Sequence, residues 1–207
     1  MRTFVYVDGF NLYYRALKGT AWKWLDLPAL FAKILQPHHD IQKVKYFTAR
    51  VSGTPADPSK PQHQDVYLRA LRRYRPEVEV YLGHFLSHRI RAPLAQPVGD
   101  QRTVEIVRTE EKGSDVNLAV HLLNDGWLDA YDCAVVVSND SDIAEAMRLV
   151  RQHHRKRVGL VTPGSAKPSR QLMAHADFLQ RTRSNALRES QLPDPIPGTN
   201  IRKPARW

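Results

Sequence analysis

The sequence predicts a soluble α/β protein with a mainly parallel sheet that is covered by helices on both faces. Short continuous apolar runs, of which Cys133–Val137 is the most apolar, are typical of buried strands and alternate with segments of helical spacing. The chain has 207 residues, 42% hydrophobic and 25% charged. Such a chain is long enough for one domain with a sizeable core and has the composition of a folded protein.

The predicted strands are short runs rich in β-branched and aromatic residues, and turn-forming residues bound them. In chain order they cover residues 3–7, 44–51, 78–82, 133–137, 157–161 and 178–180. Residues 84–109 are interpreted as a hairpin with a returning arm at 102–108 and with Pro93, Pro97 and Gly99 in its turn. Right-handed crossovers bring the carboxyl ends of parallel strands to one edge, so we expect the ligand site there.

The predicted helices have apolar residues at intervals of three and four. They cover residues 11–18, 27–35, 62–74, 113–124, 140–152 and 169–174. The helix at 113–124 carries one apolar face, formed by Val116, Ala119, Val120 and Leu123. In the helix at 140–152 the residues expected to point inward are Ile143, Ala146, Met147 and Val150.

Positive charge is concentrated near the end of the chain. Residues 1–147 contain 18 Lys/Arg and 18 Asp/Glu, whereas residues 148–207 contain 13 and 3, so the net charge of +10 lies in the last 60 residues. This asymmetry favours an anionic partner, either nucleic acid or an acidic membrane, and a solvated basic surface explains it equally well. We divide the chain into a domain at 1–183 and a basic, Pro-containing tail at 184–207, expected to be extended or disordered from Gln191 onward.

Several protein classes are disfavoured. The single cysteine, Cys133, excludes an internal disulfide framework and a Cys-rich zinc site. Asp8 interrupts the first apolar run, and no stretch approaches the ~20 apolar residues of a membrane span. A cytoplasmic protein without a membrane partner is therefore expected. No GxGxxG or GxxxxGK[ST] motif is present, so common nucleotide-binding folds lose support.

Acidic residues from three distant stretches lie at strand ends or helix starts. Asp8 ends the first strand, Asp115 begins the helix at 113–124, and Asp140 and Asp142 follow the strand at 133–137. Two carboxylates ~4 Å apart repel by about 4 kcal/mol at an effective dielectric of ~20, so some are protonated or a cation neutralises them. Oxygen ligands suit Mg²⁺ or Mn²⁺, ions that can activate water for phosphodiester hydrolysis.

Each acid also has an ordinary structural explanation. Asp140 and Asp142 are suitable helix caps, Asp115 is a suitable first-turn acid, and Asp8 before a glycine is a common turn residue. We favour the metal site because four such acids would otherwise meet by coincidence. Asn11 is expected to orient water or phosphate, or else to hold the loop after the first strand.

The basic residue nearest to these acids is Lys112. It is expected to contact a scissile phosphate, unless it is an exposed loop lysine. The neighbouring Glu110 and Glu111 point in different directions, and the sequence does not decide which of them reaches the acidic site.

Three blocks of the sequence resemble the NYN domain family, in the LabA-like branch of the PIN-like nuclease superfamily. They are VDGFNLYY, EEKGSDVNLAVHLL and VVVSNDSDIAEAMR, and the later PGSAKPSRQLMAHADFLQRT resembles the closing segment of the family. The resemblance spans about residues 3–182. It implies a three-layer α/β/α sandwich of the PIN-like type and metal-dependent ribonuclease activity.

The resemblance also assigns roles to individual positions. Catalytic roles fall on Asp8, Asn11, Asp115, Asp140 and Asp142, and the four aspartates among them are the metal ligands. Asn139 stands where the family often has a glycine. The predicted contacts to nucleic acid are Lys112, Ser138, Asn139 and Ser141.

The sequence thus predicts an endoribonuclease that uses Mg²⁺ or Mn²⁺ and binds RNA. A non-catalytic nucleic-acid-binding or regulatory module of the same fold is the alternative, and a phosphatase for small monoesters is a third hypothesis. RNA is not separated from DNA, because no group that reads a 2′-hydroxyl is recognisable. A homo-oligomer and a pairing with an antitoxin stay open, and no residue identifies an antitoxin-binding face.

Overall fold

A seven-stranded sheet runs through the computed structural model, which describes residues 1–55 and 57–205. Its strands are β1 (Arg2–Asp8), β2 (Asp40–Ala49), β3 (Val78–Val98), β4 (Gln101–Lys112), β5 (Cys133–Val137), β6 (Arg157–Thr162) and β7 (Phe178–Arg181). The strand order is β4-β3-β2-β1-β5-β6-β7. Every neighbouring pair is parallel except β3 and β4, which confirms the predicted mainly parallel sheet.

Helices connect the strands. They are α1 (Gly9–Leu12), α2 (Leu27–Ile34), α3 (Lys60–Tyr74), α4 (Ser114–Trp127), α5 (Ala144–His153), α6 (Arg170–Ala174) and α7 (Ser184–Glu189). A π-helical turn at Tyr13–Leu17 continues α1, and a 3-10 turn at Ser141–Ile143 precedes α5. Within residues 1–55 and 57–205, no helix combines the length and hydropathy needed to cross a membrane.

Apolar side chains cover both faces of the sheet. Successive residues of a strand point to opposite faces, so Val5 and Val7 of β1 join one buried cluster, and Phe4 and Tyr6 join another. The first cluster packs beneath α2 and α3, and the second beneath α4 and α5. This confirms the helices predicted on both faces and is compatible with three layers.

The strand β3 continues far beyond the parallel sheet. It pairs with β2 only from Val78 to Gly83 and then with β4 from His84 to Val98. The hairpin predicted for residues 84–109 is confirmed, although both arms are longer than expected. The prediction that Pro93 and Pro97 lie in its turn is wrong, because both belong to β3, where the pairing with β4 is irregular between Pro93 and Val98. Gly99, with a φ of 59°, lies in the turn, where a positive φ suits a residue without a side chain.

A buried ion pair fastens α4 to the sheet. The ammonium group of Lys45 on β2 lies 2.6 Å from Oδ2 of Asp125 on α4. The hydroxyl of Tyr6 donates to the same carboxylate oxygen at 2.7 Å. Burial raises the pKa of Tyr6 well above its ordinary value, so this hydroxyl keeps its proton.

The ion pair also explains why only part of the predicted apolar face of α4 is buried. Ala119 and Leu123 of that face pack, partly buried, against the second cluster. Val116 and Val120 are 60% and 56% exposed, whereas Leu118, Leu122 and Asp125 are buried. These three residues, spaced by four and three, share one side of the helix. Because Asp125 must reach its partners on the sheet, the valine face predicted from periodicity is turned toward solvent.

The helix α5, by contrast, buries the face that was predicted. Its inward side chains, with those of the preceding 3-10 turn, are Ile143, Ala146, Met147 and Val150.

The segment after residue 183 packs against the domain at 1–183. Leu187, Leu192 and Ile196 are buried in the cluster beneath α2. The amide of Leu192 donates to the carbonyl of Trp24 at 2.8 Å, and the Trp24 indole donates to the carbonyl of Pro193 at 3.2 Å. The disordered alternative is therefore wrong for residues 191–205. Arg206 and Trp207 lie outside the described residues.

Replacing Ile196 tests the attachment of this segment. We expect Ile196→Ala to lower the free energy of unfolding by about 2–5 kcal/mol, because it empties a fully buried site. The matched control is Ile106→Ala on β4, whose side chain is 40% exposed, and its cost should stay below about 1 kcal/mol. Urea denaturation measures both, and equal costs would show that the segment contributes nothing to the core.

Candidate functional site

The carboxyl ends of β1 and β5 frame a crevice in the middle of the sheet. From β1 the chain proceeds to β2 and β3 on one side, and β5, β6 and β7 lie on the other side. In open parallel sheets, ligands bind where the order of the strands reverses in this way. Asp8 is the last residue of β1 and Asp140 follows β5, so both belong to this edge.

A cleft at this edge gathers four acidic residues. Asp8, Glu111, Asp115 and Asp140 all line it. Three of these, Asp8, Asp115 and Asp140, are predicted ligands, and the structure brings them together from three separate segments of the chain. The predicted Asn11 lines the same cleft.

Asp8 is the most buried of these acids, with 9% of its surface exposed. Its Oδ1 accepts a hydrogen bond from the backbone amide of Asn11 at 2.9 Å, and its Oδ2 accepts one from the Ser138 hydroxyl at 2.8 Å. Burial raises the pKa of Asp8, the two hydrogen bonds oppose that shift, and the charges of Asp140 and Asp115 add to it. The ionised form of Asp8 is therefore destabilised unless a cation offsets the charge.

Ser138 and Asn139 hold the loop that carries Asp140. The Ser138 hydroxyl, fully buried, accepts from the Asp140 amide at 3.0 Å while it donates to Asp8. The backbone amide of Asn139 donates to Oδ1 of Asn11 at 3.1 Å. Asn11 thus holds the loop that follows β5. The Ser138 hydroxyl is hydrogen bonded to Asp8 and Asp140 and does not line the cleft.

The side chain of Asn139 ties the same loop to the segment before α6. Its Oδ1 accepts from the Ser169 amide at 2.7 Å, and its Nδ2 donates to the Lys167 carbonyl at 3.0 Å. A glycine at this position would have neither bond. The departure from the family pattern thus supplies an additional fastening for the loop.

Five of the predicted residues do not line the cleft: Ser138 and Asn139, which hold the loop before Asp140, and Lys112, Ser141 and Asp142. Ser141 and Asp142 are exposed in the 3-10 turn, and the Asp142 amide donates to Oδ1 of Asp140 at 3.1 Å. Asp140 thus has the capping role that was its ordinary explanation. Lys112, half-exposed, pairs with Glu110 at 2.9 Å.

The structure distinguishes the two glutamates that the sequence left undecided. Glu111 lines the cleft and accepts from the amide and hydroxyl of Ser114 at 3.1 and 2.8 Å, which caps the start of α4. Gly113 between them has a φ of 96°, a conformation that favours glycine. Asp115 follows Ser114 in the first turn of α4 and lines the same cleft. Glu110 instead pairs with Arg108 and Lys112.

Sequence reasoning missed four further lining residues, namely Phe10, Tyr14, Arg15 and Phe85. Phe85 comes from the base of the hairpin, and its ring meets that of Phe10 edge-on at 5.8 Å. Arg15 brings positive charge to the acidic cleft and makes no ion pair within the described part of the chain. The VDGFNLYY block pointed to this region, but not to the directions of its side chains.

The donor set suits a hard divalent cation in its chemistry, since every candidate ligand is a carboxylate oxygen. Among residues 1–55 and 57–205, however, no three His, Cys, Asp or Glu side chains stand close enough to hold one ion. The predicted shell of four aspartates is therefore not formed in this arrangement. Mg²⁺ in proteins usually retains several water ligands and binds one or two carboxylates. The acids of the cleft suit such a partly hydrated ion better than an ion coordinated by protein atoms alone.

Asp8→Asn tests whether the buried charge is costly. Because the pKa of Asp8 is raised, its contribution to stability is complete below the ordinary carboxyl pKa and is lost as the pH rises through the folded value. Without divalent cations, we therefore expect Asp8→Asn to be more stable than the unaltered protein at pH 7, with the gain disappearing toward pH 3.

Urea denaturation across that pH range measures this difference. The matched control is Asp40→Asn, an exposed position at the opposite end of β2, which should show no comparable gain. A loss of stability in Asp8→Asn at pH 7 would contradict the expected cost of the charge.

Comparisons with known proteins agree with this architecture. The family model described as the NYN domain matches residues 2–181. The protein 6-hydroxy-3-succinoylpyridine 3-monooxygenase HspA of Pseudomonas putida is 33% identical over 238 aligned residues, which cover 100% of this chain and 75% of that protein. A solved structure of a protein of unknown function from Vibrio parahaemolyticus has a TM-score of 0.55 at 18% identity, covering 89% of this chain and 94% of that one, and shows a shared fold alone. The family match extends over nearly the whole chain, and this protein accordingly belongs to the NYN domain family.

Proposed function

We propose that this protein is a metal-dependent ribonuclease that hydrolyses RNA phosphodiester bonds in the acidic cleft. One observation carries the proposal: carboxylates from three distant segments line one crevice at the carboxyl edge of the sheet, and the innermost of them is buried. Membership of a family with a nuclease-like fold supports the same chemistry.

In this proposal Asp8, Asp115 and Asp140 hold Mg²⁺ or Mn²⁺, directly or through water. The ion supplies an activated water and screens the charge of the phosphodiester. Asn11 and Ser138 keep the Asp8 carboxylate oriented through their two hydrogen bonds. Asp142 is exposed and does not line the cleft, and we assign it to the outer part of the site.

Arg15 is the cation best placed to attract the substrate phosphate. It lines the cleft itself, whereas Lys112 is paired with Glu110. Several cations of the basic C-terminal region are also paired, among them Lys156 with Asp129 and Arg151 with Asp177. These pairs reduce the charge that the last 60 residues offer to RNA, although unpaired arginines still contribute to the long-range attraction.

The similarity to HspA favours a second candidate function, the hydroxylation of a small aromatic heterocycle. That relative is named for an oxygenation of a substituted pyridine, and its identity to this protein extends over the entire chain. A monooxygenation consumes dioxygen and two electrons from a reductant. Oxygen uptake that depends on both 6-hydroxy-3-succinoylpyridine and a nicotinamide reductant, without RNA cleavage, would support this candidate over the ribonuclease.

Cleavage assays with conservative variants test the proposed ribonuclease. With Mn²⁺ and single-stranded or structured RNA, we expect Asp8→Asn, Asp115→Asn and Asp140→Asn each to lower the cleavage rate by about 100-fold or more. This estimate follows because substituting a residue that only supports a metal ligand already lowers metal affinity or activity by about 10–100-fold. Asp142→Asn should cost less than any of these, and the control Asp40→Asn should cost nothing.

The result can exclude the proposal. Equal cleavage in Mn²⁺, in EDTA and in Asp8→Asn would show that the cleft is not the catalytic site. Salt-sensitive RNA binding without any product in Mn²⁺ would favour the non-catalytic binding module.

Metal binding is tested independently of RNA. A cation that binds only the folded state raises the apparent stability by RT ln(1 + [L]/Kd), which reaches about 2.7 kcal/mol at 100 times Kd. We expect Mn²⁺ to raise the melting temperature of the unaltered protein and of Asp40→Asn, and to have little effect on Asp8→Asn. Identical shifts in all three proteins would place the cation elsewhere.

A further inference from the structure

A second cavity lies beside the acidic cleft, between the π-helical turn and α3. Its walls include the aromatic rings of Phe10, Tyr13, Tyr14, Tyr46 and Tyr67. Its volume is about 110 Å³, several times what a single water needs. The proposed hydrolysis of RNA does not by itself use this cavity.

Tyr46 and Tyr67 form a rigid inner wall. The Tyr67 hydroxyl donates to the Leu25 carbonyl at 2.8 Å. Gly9 permits this arrangement, because a Cβ there would lie 2.8 Å from the Tyr46 ring. Both tyrosines are buried and contribute ring surface to the cavity.

Aromatic rings connect the cavity to the cleft. Phe10 and Tyr14 line both spaces, and their rings are stacked with centroids 6.5 Å apart. Tyr13 on the cavity side meets Tyr14 at 5.2 Å, and Phe85 on the cleft side meets Phe10 at 5.8 Å. A continuous aromatic wall therefore leads from the acids to the cavity.

We propose that this cavity holds one nucleobase of the RNA strand, the base next to the phosphate bound in the acidic cleft. The inference rests on the proposed ribonuclease function. A base is a flat ring, and aromatic side chains stack on such rings in proteins that bind single-stranded nucleic acid. The position of the cavity beside the acids is what a base attached to that phosphate requires.

Polar and charged side chains also line the cavity, among them Asp57, His63 and Gln64. Gln64 is already hydrogen bonded within the protein, because its Oε1 accepts from the Val51 amide at 3.0 Å and its Nε2 donates to the Ala49 carbonyl at 2.8 Å. Lys60, the first residue of α3, adds positive charge that suits the neighbouring backbone phosphate.

The test measures RNA binding in EDTA, so that no strand is cut. A fluorescent single-stranded oligoribonucleotide is compared with a set in which one position at a time is abasic, and anisotropy reports the affinity. For the unaltered protein, one abasic position should weaken binding by about tenfold, as expected for the loss of one stacked base.

The variant Tyr13→Ala should bind the intact oligonucleotide about tenfold more weakly and should lose the sensitivity to that abasic position. The control is Tyr74→Ala, a partly buried tyrosine on α3 that lines neither space and packs against the same core cluster as Tyr13. It should keep the sensitivity. The abasic series on the unaltered protein decides the matter even if Tyr13→Ala does not fold.

An affinity that is the same at every abasic position, or an equal sensitivity in Tyr13→Ala, would overturn the base assignment. Binding of a small pyridine carboxylate in the cavity, by a protein that has no affinity for RNA, would also overturn the base assignment. The two proposals fail separately: position-dependent binding without cleavage in Mn²⁺ overturns the hydrolysis alone. Cleavage without any abasic effect overturns the base cavity alone.

Discussion

The carboxylate of Asp8 is buried at the end of the central strand, and the functional half of the molecule is arranged around the cost of its charge. Two hydrogen bonds favour the ionised form, whereas burial and two neighbouring acids oppose it. The loops after β1 and β5 are fixed through Asn11, Ser138 and Asn139, and these bonds also determine where Asp140 lies. A buried carboxylate whose ionised form is destabilised is common at functional sites. Selection for function retains such a residue even though it lowers the stability of the fold.

Two spaces of opposite character meet at this edge of the sheet. One is acidic and suits a hydrated divalent cation, and the other is aromatic and suits a flat ring. Phe10 and Tyr14 separate them and belong to both. A nucleotide joins a phosphate to a base, so an RNA strand suits the two adjoining spaces together.

Periodicity predicted most elements of the fold but not the rotation of every helix. The apolar run Cys133–Val137 is a central strand, and α5 buries the residues expected of it. In α4, however, the periodic valines face solvent, because the helix is turned by the contact between Asp125 and Lys45, 80 residues apart. The hairpin was recognised from its turn residues, but the continuity of β3 through Gly83 was not, since one strand changes partner there.

Local properties of the chain were enough to predict the order of strands and helices, the family, and the position of acids at strand ends and helix starts. Which acids share the cleft depends on the fold. Asp8 meets Ser138 across 130 positions, Glu111 rather than Glu110 lines the cleft and caps α4, and Asp142 is exposed outside it. The direction of a side chain depends on contacts between remote segments, and no local pattern encodes such contacts.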